Sequence, residues 1–115
     1  DELLEVILKD RENAPNGPVI FNLGNNGPLT EAQVEAIFEA LKDSEKVIAV
    51  DTAVPRPWRD SNNELIARVA ARYSNVSLVK WSLASQDRPE YFAPDGVHLV
   101  PAGIAIYISE IAQYL

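Results

Sequence analysis

The chain alternates between short continuous apolar runs and longer stretches in which apolar residues recur at helical spacing. The runs at residues 19–23, 47–50 and 76–79 are rich in branched side chains, which is typical of strands covered on both faces. Helical spacing is found at residues 3–8, 34–41, 65–73 and 104–115. This alternation predicts an α/β fold in which a parallel sheet lies between layers of helices, joined by right-handed crossovers.

Residues that favour helix ends indicate where three of the helices begin. Thr30, followed by the acidic Glu31, is well placed to start the helix after the first strand. Asp60 or Ser61 can cap the helix after the second strand. Pro101 suits the first turn of the last helix.

Three polar segments follow the three predicted strands, at residues 24–28, 52–58 and 82–99. The last of them shows little periodicity, so it is predicted to be a long loop of the kind that is usually functional or disordered. Because ligands of open parallel sheets bind beyond the carboxyl ends of the strands, these segments are where a site is expected.

Composition narrows the class of protein. The 115 residues fit one domain, with 47% hydrophobic and 23% charged residues, and the net charge of −7 disfavours binding to nucleic acid. No run approaches the roughly 20 apolar residues of a membrane-spanning helix. The absence of cysteine removes disulfides, zinc–thiolate sites and thiol nucleophiles.

The only histidine lies three residues after an aspartate, in the sequence Asp-Gly-Val-His-Leu of residues 95–99. A carboxylate that accepts the Nδ1 proton of an imidazole fixes its tautomer and stabilises the imidazolium, as a general base requires. The same spacing fits a surface loop in which Asp95 caps a turn and His98 is solvated. One histidine and one aspartate are too few ligands for a zinc site.

The other two loops also carry candidate residues. Asn25 and Asn26 lie between glycines and can present an amide to a developing oxyanion, although the same residues are favoured in simple turns. Neither a Rossmann nor a Walker glycine pattern is present. In the sequence Pro-Arg-Pro-Trp of residues 55–58, Arg56 and Trp58 can line a pocket for a sugar or an acyl group, or Trp58 can pack on the neighbouring helix.

Further aromatic residues lie in and near the long third segment. Trp81, Tyr91 and Phe92 are interpreted as core or loop-packing residues rather than as ligand contacts. None of them therefore enters the predicted site.

Together these motifs resemble the later part of the SGNH (GDSL-type) hydrolase family, over nearly the whole chain. Residues 95–99 resemble the final block of that family, which implies that His98 and Asp95 complete a Ser-His-Asp triad. Residues 24–26 resemble its Gly-x-Asn block, which implies Asn26 as the oxyanion-hole side chain. The resemblance also implies a flavodoxin-like, three-layer α/β/α arrangement, of which residues 1–115 are a single partial domain that lacks the first strands.

A closer resemblance is to the extracellular C-terminal domains of peptidoglycan O-acetyltransferases, in which one strand leads into Gly-Thr-Asn-Gly and a later strand into Val-Pro-Arg-Pro-Trp. Residues 23–28 and 54–58 correspond. This resemblance implies transfer of acetyl to a cell-wall sugar hydroxyl, or its hydrolysis, through an acyl-serine intermediate and without a cofactor. It implies a glycan acceptor and an acetyl donor as partners, and an extracellular location in a parent with a multispanning membrane part.

The blocks of the family that carry the nucleophilic serine and an oxyanion glycine are expected before residue 1, and the seven serines of the chain lack a Gly-Asp-Ser-like context. The isolated chain is therefore expected to be nearly inactive and to resist serine-directed fluorophosphonates. A bare edge at residues 19–23 predicts self-association or pairing with an N-terminal segment. The alternative is a non-catalytic module that binds glycan or has a structural role.

Overall fold

Three short parallel strands form the centre of the structure, a computed structural model that describes residues 18–115. They are β1 (Val19–Asn22), β2 (Val47–Val50) and β3 (Val76–Val79), and they lie side by side in chain order. The register pairs Val19 with Val47 and Val47 with Val76. The parallel sheet predicted from the sequence is therefore confirmed, whereas the helical pattern of residues 3–8 lies outside the described residues.

Four helices connect and cover the strands. They are α1 (Glu31–Ala40), α2 (Arg59–Ala70), the short α3 (Trp81–Ala84) and α4 (Pro101–Ala112), with a 3₁₀ turn at Pro89–Tyr91. β1 ends one residue earlier than predicted, although the Leu23 amide still donates to the Val50 carbonyl at 2.9 Å.

The sheet has an apolar cluster on each face, so the α/β/α layering is confirmed. On one face Phe21, Ala49 and the buried residues of α1 and α2, such as Phe38 and Ile66, form the larger cluster. On the other face Ile48 and its neighbours pack against α3 and α4. Alternate residues of each strand point to opposite faces, which explains how a four-residue strand serves both clusters.

α1 begins where the sequence predicts. The Thr30 hydroxyl accepts from the Gln33 amide at 3.2 Å, and the Gln33 side chain accepts from the Thr30 amide at 2.9 Å. This reciprocal pair is a capping box, which satisfies two backbone donors that a helix start leaves open. Glu31 in the first turn adds a favourable charge.

The predicted start of α2 is wrong. The helix begins at Arg59 with Trp58 at the cap position, so neither Asp60 nor Ser61 is its cap. The preceding turn explains the difference, because the Arg59 amide donates to the Arg56 carbonyl at 3.2 Å and carries the chain into the helix without a side-chain cap. Ser61 instead donates its hydroxyl proton to the Trp58 carbonyl at 3.2 Å.

The prediction of an irregular loop over residues 82–99 is also wrong, because this segment contains most of α3, the 3₁₀ turn and an antiparallel bridge between Phe92 and Leu99. Aromatic packing holds it. Trp81 is buried, with its ring 6.1 Å from Tyr91 and 5.1 Å from Tyr107. The packing role predicted for Trp81, Tyr91 and Phe92 is confirmed, and elements this short leave no periodic signal.

α4 starts at Pro101 as predicted, but its apolar residues are not all covered. Tyr107 and Ile111 pack on the sheet, whereas Ile104 and Ile108 are largely exposed. An apolar residue is also exposed on β1, at the edge of the described sheet, where Ile20 is 45% exposed. Within the part of the chain that the structure describes, no helix is both long and apolar enough to cross a bilayer.

Candidate active site

The loops after β1, β2 and β3 meet at the carboxyl edge of the sheet, as parallel strands require. The first two are joined directly, because the Thr52 hydroxyl donates to Asn25 Oδ1 at 2.5 Å. The second and third are in contact where a side chain added at Gly96 would lie 3.2 Å from the Pro55 ring. The three polar segments therefore form one surface.

Asp95 and His98 face each other within a single tight turn. Asp95 Oδ1 accepts from the amides of Val97 and His98 at 2.8 and 3.0 Å, and Oδ2 lies 2.5 Å from His98 Nδ1. Gly96, with φ of +71°, supplies the left-handed residue that this turn needs. The structure thus brings the two predicted residues together, with the His98 side chain 81% exposed and its Nε2 open to a reacting group.

The surroundings of Asp95 keep it ionised. The hydrogen bond from the His98 side chain and those from the Val97 and His98 amides lower the pKa of Asp95 to about 2. A carboxylate with so low a pKa stays charged wherever an imidazole gains or loses a proton. It can therefore orient the ring and stabilise the imidazolium form.

The turn is fixed to the aromatic cluster at its base. The Ala93 amide donates to the His98 carbonyl at 2.8 Å, and the Gly96 amide donates to the Ala93 carbonyl at 2.9 Å. Phe92 and Leu99, which flank these residues, form the antiparallel bridge. The exposed pair of Asp95 and His98 therefore lies on a turn whose base is packed in the aromatic cluster.

Asn62 of α2 positions the loop after β1. Its side chain is 2% exposed, donates to the carbonyls of Gly24 and Gly27 at 3.1 and 2.8 Å, and accepts from the Leu29 amide at 2.9 Å. Sequence reasoning missed this residue. An asparagine in the first turn of a helix looks like an ordinary surface residue, and nothing local signals that it reaches another loop.

The two asparagines of that loop have different environments. Both polar atoms of the Asn25 side-chain amide form hydrogen bonds: the nitrogen donates to the Asn22 side chain, and the oxygen accepts from the Thr52 hydroxyl. Asn26 is exposed, and its side chain forms no hydrogen bond to any residue from 18 to 115. Asn26 is thus the amide that is available to an external group, while Asn25 joins two loops.

Arg56 and Trp58 are less central than the other predicted residues. Arg56 is exposed, and within residues 18–115 its side chain donates only to the adjacent Pro55 carbonyl, at 3.1 Å. The indole nitrogen of Trp58 is buried and has no acceptor within residues 18–115. The structure brings Pro55, rather than these two side chains, against the turn that carries His98.

Asp51 is a second carboxylate at this edge that the sequence reading did not select. It directly follows β2, is 3% exposed, and accepts from the Ser82 amide and hydroxyl, both at 2.8 Å. Burial raises the pKa of Asp51, and the two bonds from Ser82 partly offset that effect. Because Ser82 lies in the first turn of α3, Asp51 attaches the third loop to the sheet.

Two concave regions open at this edge. A cavity of about 170 Å³ is lined by Asn25, Trp81, Val97 and Tyr107 among others, and a groove of about 460 Å³ lies beside α3. Both regions include Ala53 and Phe92. Within the described residues, no group of three or more His, Asp or Glu side chains is placed to hold a metal ion.

Comparison with known proteins finds similarity to one group of bacterial enzymes. The chain is 41% identical over 101 residues to "Putative peptidoglycan O-acetyltransferase YrhL" of Bacillus subtilis, a match of 88% of this chain and 16% of that protein. It is 40% identical over 103 residues to "Peptidoglycan O-acetyltransferase OatA" of Listeria monocytogenes, covering 90% of this chain and 16% of that protein.

A third relative, "Putative O-acetyltransferase SAS0844" of Staphylococcus aureus, is 40% identical over 97 residues, or 84% of this chain. The chain thus spans 16% of the length of each of these three relatives. No protein-family model matches it.

Proposed function

We propose that this chain, which is homologous to one segment of the bacterial peptidoglycan O-acetyltransferases, contributes the base and the oxyanion side chain of an SGNH-type acetyl-transfer site. Residues 1–115 then form the C-terminal portion of an SGNH-type domain. The reaction places acetyl on a sugar hydroxyl of the cell wall, or removes it. The observation that carries the proposal is the 2.5 Å contact between Asp95 Oδ2 and His98 Nδ1, on a ring that is open to solvent.

The proposed chemistry follows from this geometry. With its Nδ1 proton donated to Asp95, His98 presents Nε2 as the acceptor of a proton. A serine hydroxyl loses its proton to Nε2 while its oxygen bonds to the acetyl carbonyl carbon, and Nε2 passes that proton to the donor oxygen as the bond to the donor breaks. A sugar hydroxyl or water then attacks the acetyl-serine and loses its proton to Nε2, which gives it to the departing serine oxygen.

The serine of this mechanism belongs to the longer polypeptide outside these residues. Within residues 18–115 no serine side chain hydrogen-bonds to His98, and Ser82, at the same edge, donates to Asp51. The isolated chain is therefore proposed to be nearly inactive. The parent places it outside the cell as part of a membrane-anchored enzyme that acts on peptidoglycan, the polymer that the names of two relatives contain.

Asn26 is proposed as the oxyanion donor because its side-chain amide has no hydrogen-bond partner within residues 18–115 and lies at the same edge as His98. The cavity between Asn25 and Val97 suits a small acyl group, since about 170 Å³ compares with the roughly 150 Å³ that holds a benzene molecule in a protein core. The space between the first and third loops thereby has two proposed roles, stabilisation of the oxyanion and binding of the acyl group. Arg56 and Trp58 remain proposed contacts for the rest of the substrate.

The test is acetate release from 4-nitrophenyl acetate by the parent polypeptide. His98→Ala is expected to lower kcat by about 10⁶-fold, and Asp95→Asn by about 10⁴-fold, as in other triads. Asn26→Ala is expected to cost about 10²-fold through loss of an oxyanion donor. The control is Lys42→Ala, an exposed residue just after α1 that pairs with Glu39, and it should retain full activity.

A fluorophosphonate probe adds a second measurement. The parent should be labelled at one serine, and labelling should fall with His98→Ala because the serine loses its base. The isolated chain should not be labelled. Full activity of His98→Ala, or stoichiometric labelling of the isolated chain, would overturn the proposal.

A further inference from the structure

A groove of about 460 Å³ runs beside α3, between the loop after β2 and the start of the third loop. Its size lies within the range of roughly 300 to 1,000 Å³ that is typical of small-ligand sites. The side chains that concern its chemistry are Arg59, Leu83, Gln86, Asp87 and Phe92.

Apart from Asp60, which pairs with Arg59, the polar residues of the groove fall into two sets. Asn63, Ser82 and Ser85 are already bonded within the fold: Asn63 to Thr52, Ser82 to Asp51 and Ser85 to the Trp81 carbonyl. Their hydrogen bonds make the floor of the groove rigid. The polar atoms of this first set are largely used within the fold, so they can form few hydrogen bonds to a ligand.

The second set is open. The side chains of Gln86 and Asp87 form no hydrogen bond within residues 18–115, and Arg59 uses only Nε, on Asp60 at 2.9 Å. The residues that line the groove therefore include an amide, a carboxylate and two guanidinium NH₂ groups that have no partner within residues 18–115. Asp87 also has φ of +59°, in the left-handed region that favours glycine, so a side chain is retained at a position where glycine would fit better.

Apolar surface lies next to these groups. The Leu83 side chain is 62% exposed on α3, and Phe92 lines the same groove. A pyranose ring combines C–H faces, which pack on such surface, with hydroxyl and acetamido groups, which bond to planar amides, carboxylates and guanidinium groups. Among the lining residues the only cation, Arg59, is already paired with Asp60, and Asp87 is unpaired, so an uncharged ligand is favoured over a phosphate.

The position of the groove connects it to the site described above. It shares Ala53 and Phe92 with the cavity beside Val97. Phe92 pairs with Leu99, the residue that directly follows His98. A ligand in the groove would therefore lie next to the turn that carries the proposed base.

We propose that this groove binds N-acetylated hexosamine units of the acceptor glycan, with Gln86, Asp87 and Arg59 bonding to the sugar and Leu83 packing on its face. This inference rests on the proposed function for the identity of the glycan, but binding itself needs neither the serine nor the base. The groove then determines which sugar hydroxyl comes near His98.

The test is a titration of the full chain with chitotetraose, an oligomer of N-acetylglucosamine, followed by amide chemical shifts. Saturable shifts are expected at residues 83–87 and at Arg59. Gln86→Ala and Asp87→Asn should each weaken binding about five- to tenfold, the usual effect of losing one such hydrogen bond. Leu83→Gln should weaken it as well, by removing the apolar surface.

The chain offers matched controls. Gln113→Ala and Asp43→Asn change exposed residues of the same types away from the groove, and both should bind as the unchanged chain does. Exposed substitutions should preserve the fold, which amide dispersion reports in the same spectra. Absence of saturable shifts, or groove variants that bind like the controls, would overturn the inference.

The outcome is separable from that of the proposed function. His98→Ala should abolish acetyl transfer in the parent and leave chitotetraose binding unchanged. Binding in the groove together with full activity of His98→Ala would reject the proposed function alone. Loss of activity in His98→Ala without binding in the groove would reject the further inference alone.

Discussion

The first and third loops of the carboxyl edge are held in place in opposite ways. The loop that carries Asn26 depends on Asn62, a buried side chain of α2 that bonds to three of its backbone groups. The turn that carries His98 depends on Asp95, which bonds to groups only two and three residues away. One loop is organised by a distant part of the chain, and the other organises itself.

Because of this difference, substitutions around Asn62 should mainly change stability, and substitutions around Asp95 should mainly change chemistry. The groups that bond to Asn62 are buried or partly buried, so each one left without a partner has a desolvation cost. The groups around Asp95 are exposed and water can replace their partners. Substitution of Asn62 should therefore destabilise the fold, and substitution of Asp95 or His98 should remove function while the fold remains.

The largest effect is expected from Asn62→Ala. It leaves the Gly24 and Gly27 carbonyls and the Leu29 amide without their partner, and it should lower the free energy of unfolding by about 3 kcal/mol. Urea unfolding followed by tryptophan fluorescence measures this change. Asn26→Ala, in the same loop but without a hydrogen bond in the described residues, should change stability by less than about 0.5 kcal/mol. Equal effects of the two variants would erase the contrast.

The next effect concerns Asp51, whose hydrogen bonds attach the start of the third loop to the sheet. Asp51→Ala removes both bonds from Ser82 and should destabilise the chain by about 2 kcal/mol, because the partly buried hydroxyl and amide of Ser82 lose their acceptor. Asp51→Asn keeps an acceptor for the amide and should cost less than half as much. A small effect of Asp51→Ala would show that the aromatic cluster alone holds the loop.

Asp51 should also produce a pH dependence of known sign. Burial raises the pKa of Asp51 in the folded state, so the folded protein binds its proton more tightly than the unfolded chain does. The cost of burying the charge is present above that folded pKa and is relieved as pH falls through it. Asp51→Asn should remove this part of the pH dependence, which urea unfolding between pH 7 and pH 4 measures.

The same contrast explains what the sequence could predict. The strands, the start of α1 at Thr30 and the Asp95–His98 turn all depend on residues close together in the chain, and local patterns indicate them. Asn62 and Asp51 act on groups 31 to 38 residues away, so no local pattern marks them. The predicted cap of α2 failed for a related reason, since the turn before the helix, rather than a side chain, determines where it begins.

A smaller effect is expected where the second and third loops are in contact. Gly96→Ala should cost about 1 kcal/mol, because φ of +71° disfavours a Cβ and the added carbon would lie 3.2 Å from the Pro55 ring. Gly96→Asn should cost less, since asparagine tolerates this backbone region. The same urea experiment measures both. If the two variants are equally destabilised, crowding against Pro55 rather than backbone conformation limits this position.

The smallest effect on stability, and the most informative one for the site, is expected from His98→Ala. The fold should be retained at pH 7, because the substituted side chain is 81% exposed. The pKa of Asp95 should rise from about 2 towards its ordinary value near 3.9, since the hydrogen bond from His98 is the main cause of its low pKa. Carboxyl carbon chemical shifts followed from pH 6 to pH 1.5 measure this titration directly.

The sign of the accompanying stability change follows from linkage. A carboxyl whose pKa is lowered by folding stabilises the folded state above the unfolded pKa near 3.9, and that contribution is lost as pH falls through about 2. Unchanged protein should therefore lose this contribution between about pH 4 and pH 2, and His98→Ala should show less of the loss. Glu90→Gln is the control, an exposed carboxylate on the 3₁₀ turn that makes no contact with His98, and it should leave the Asp95 titration where it was. If the Asp95 titration stays near 2 without the imidazole, the two backbone amides alone hold the carboxylate, and the imidazole is a dispensable partner of the turn.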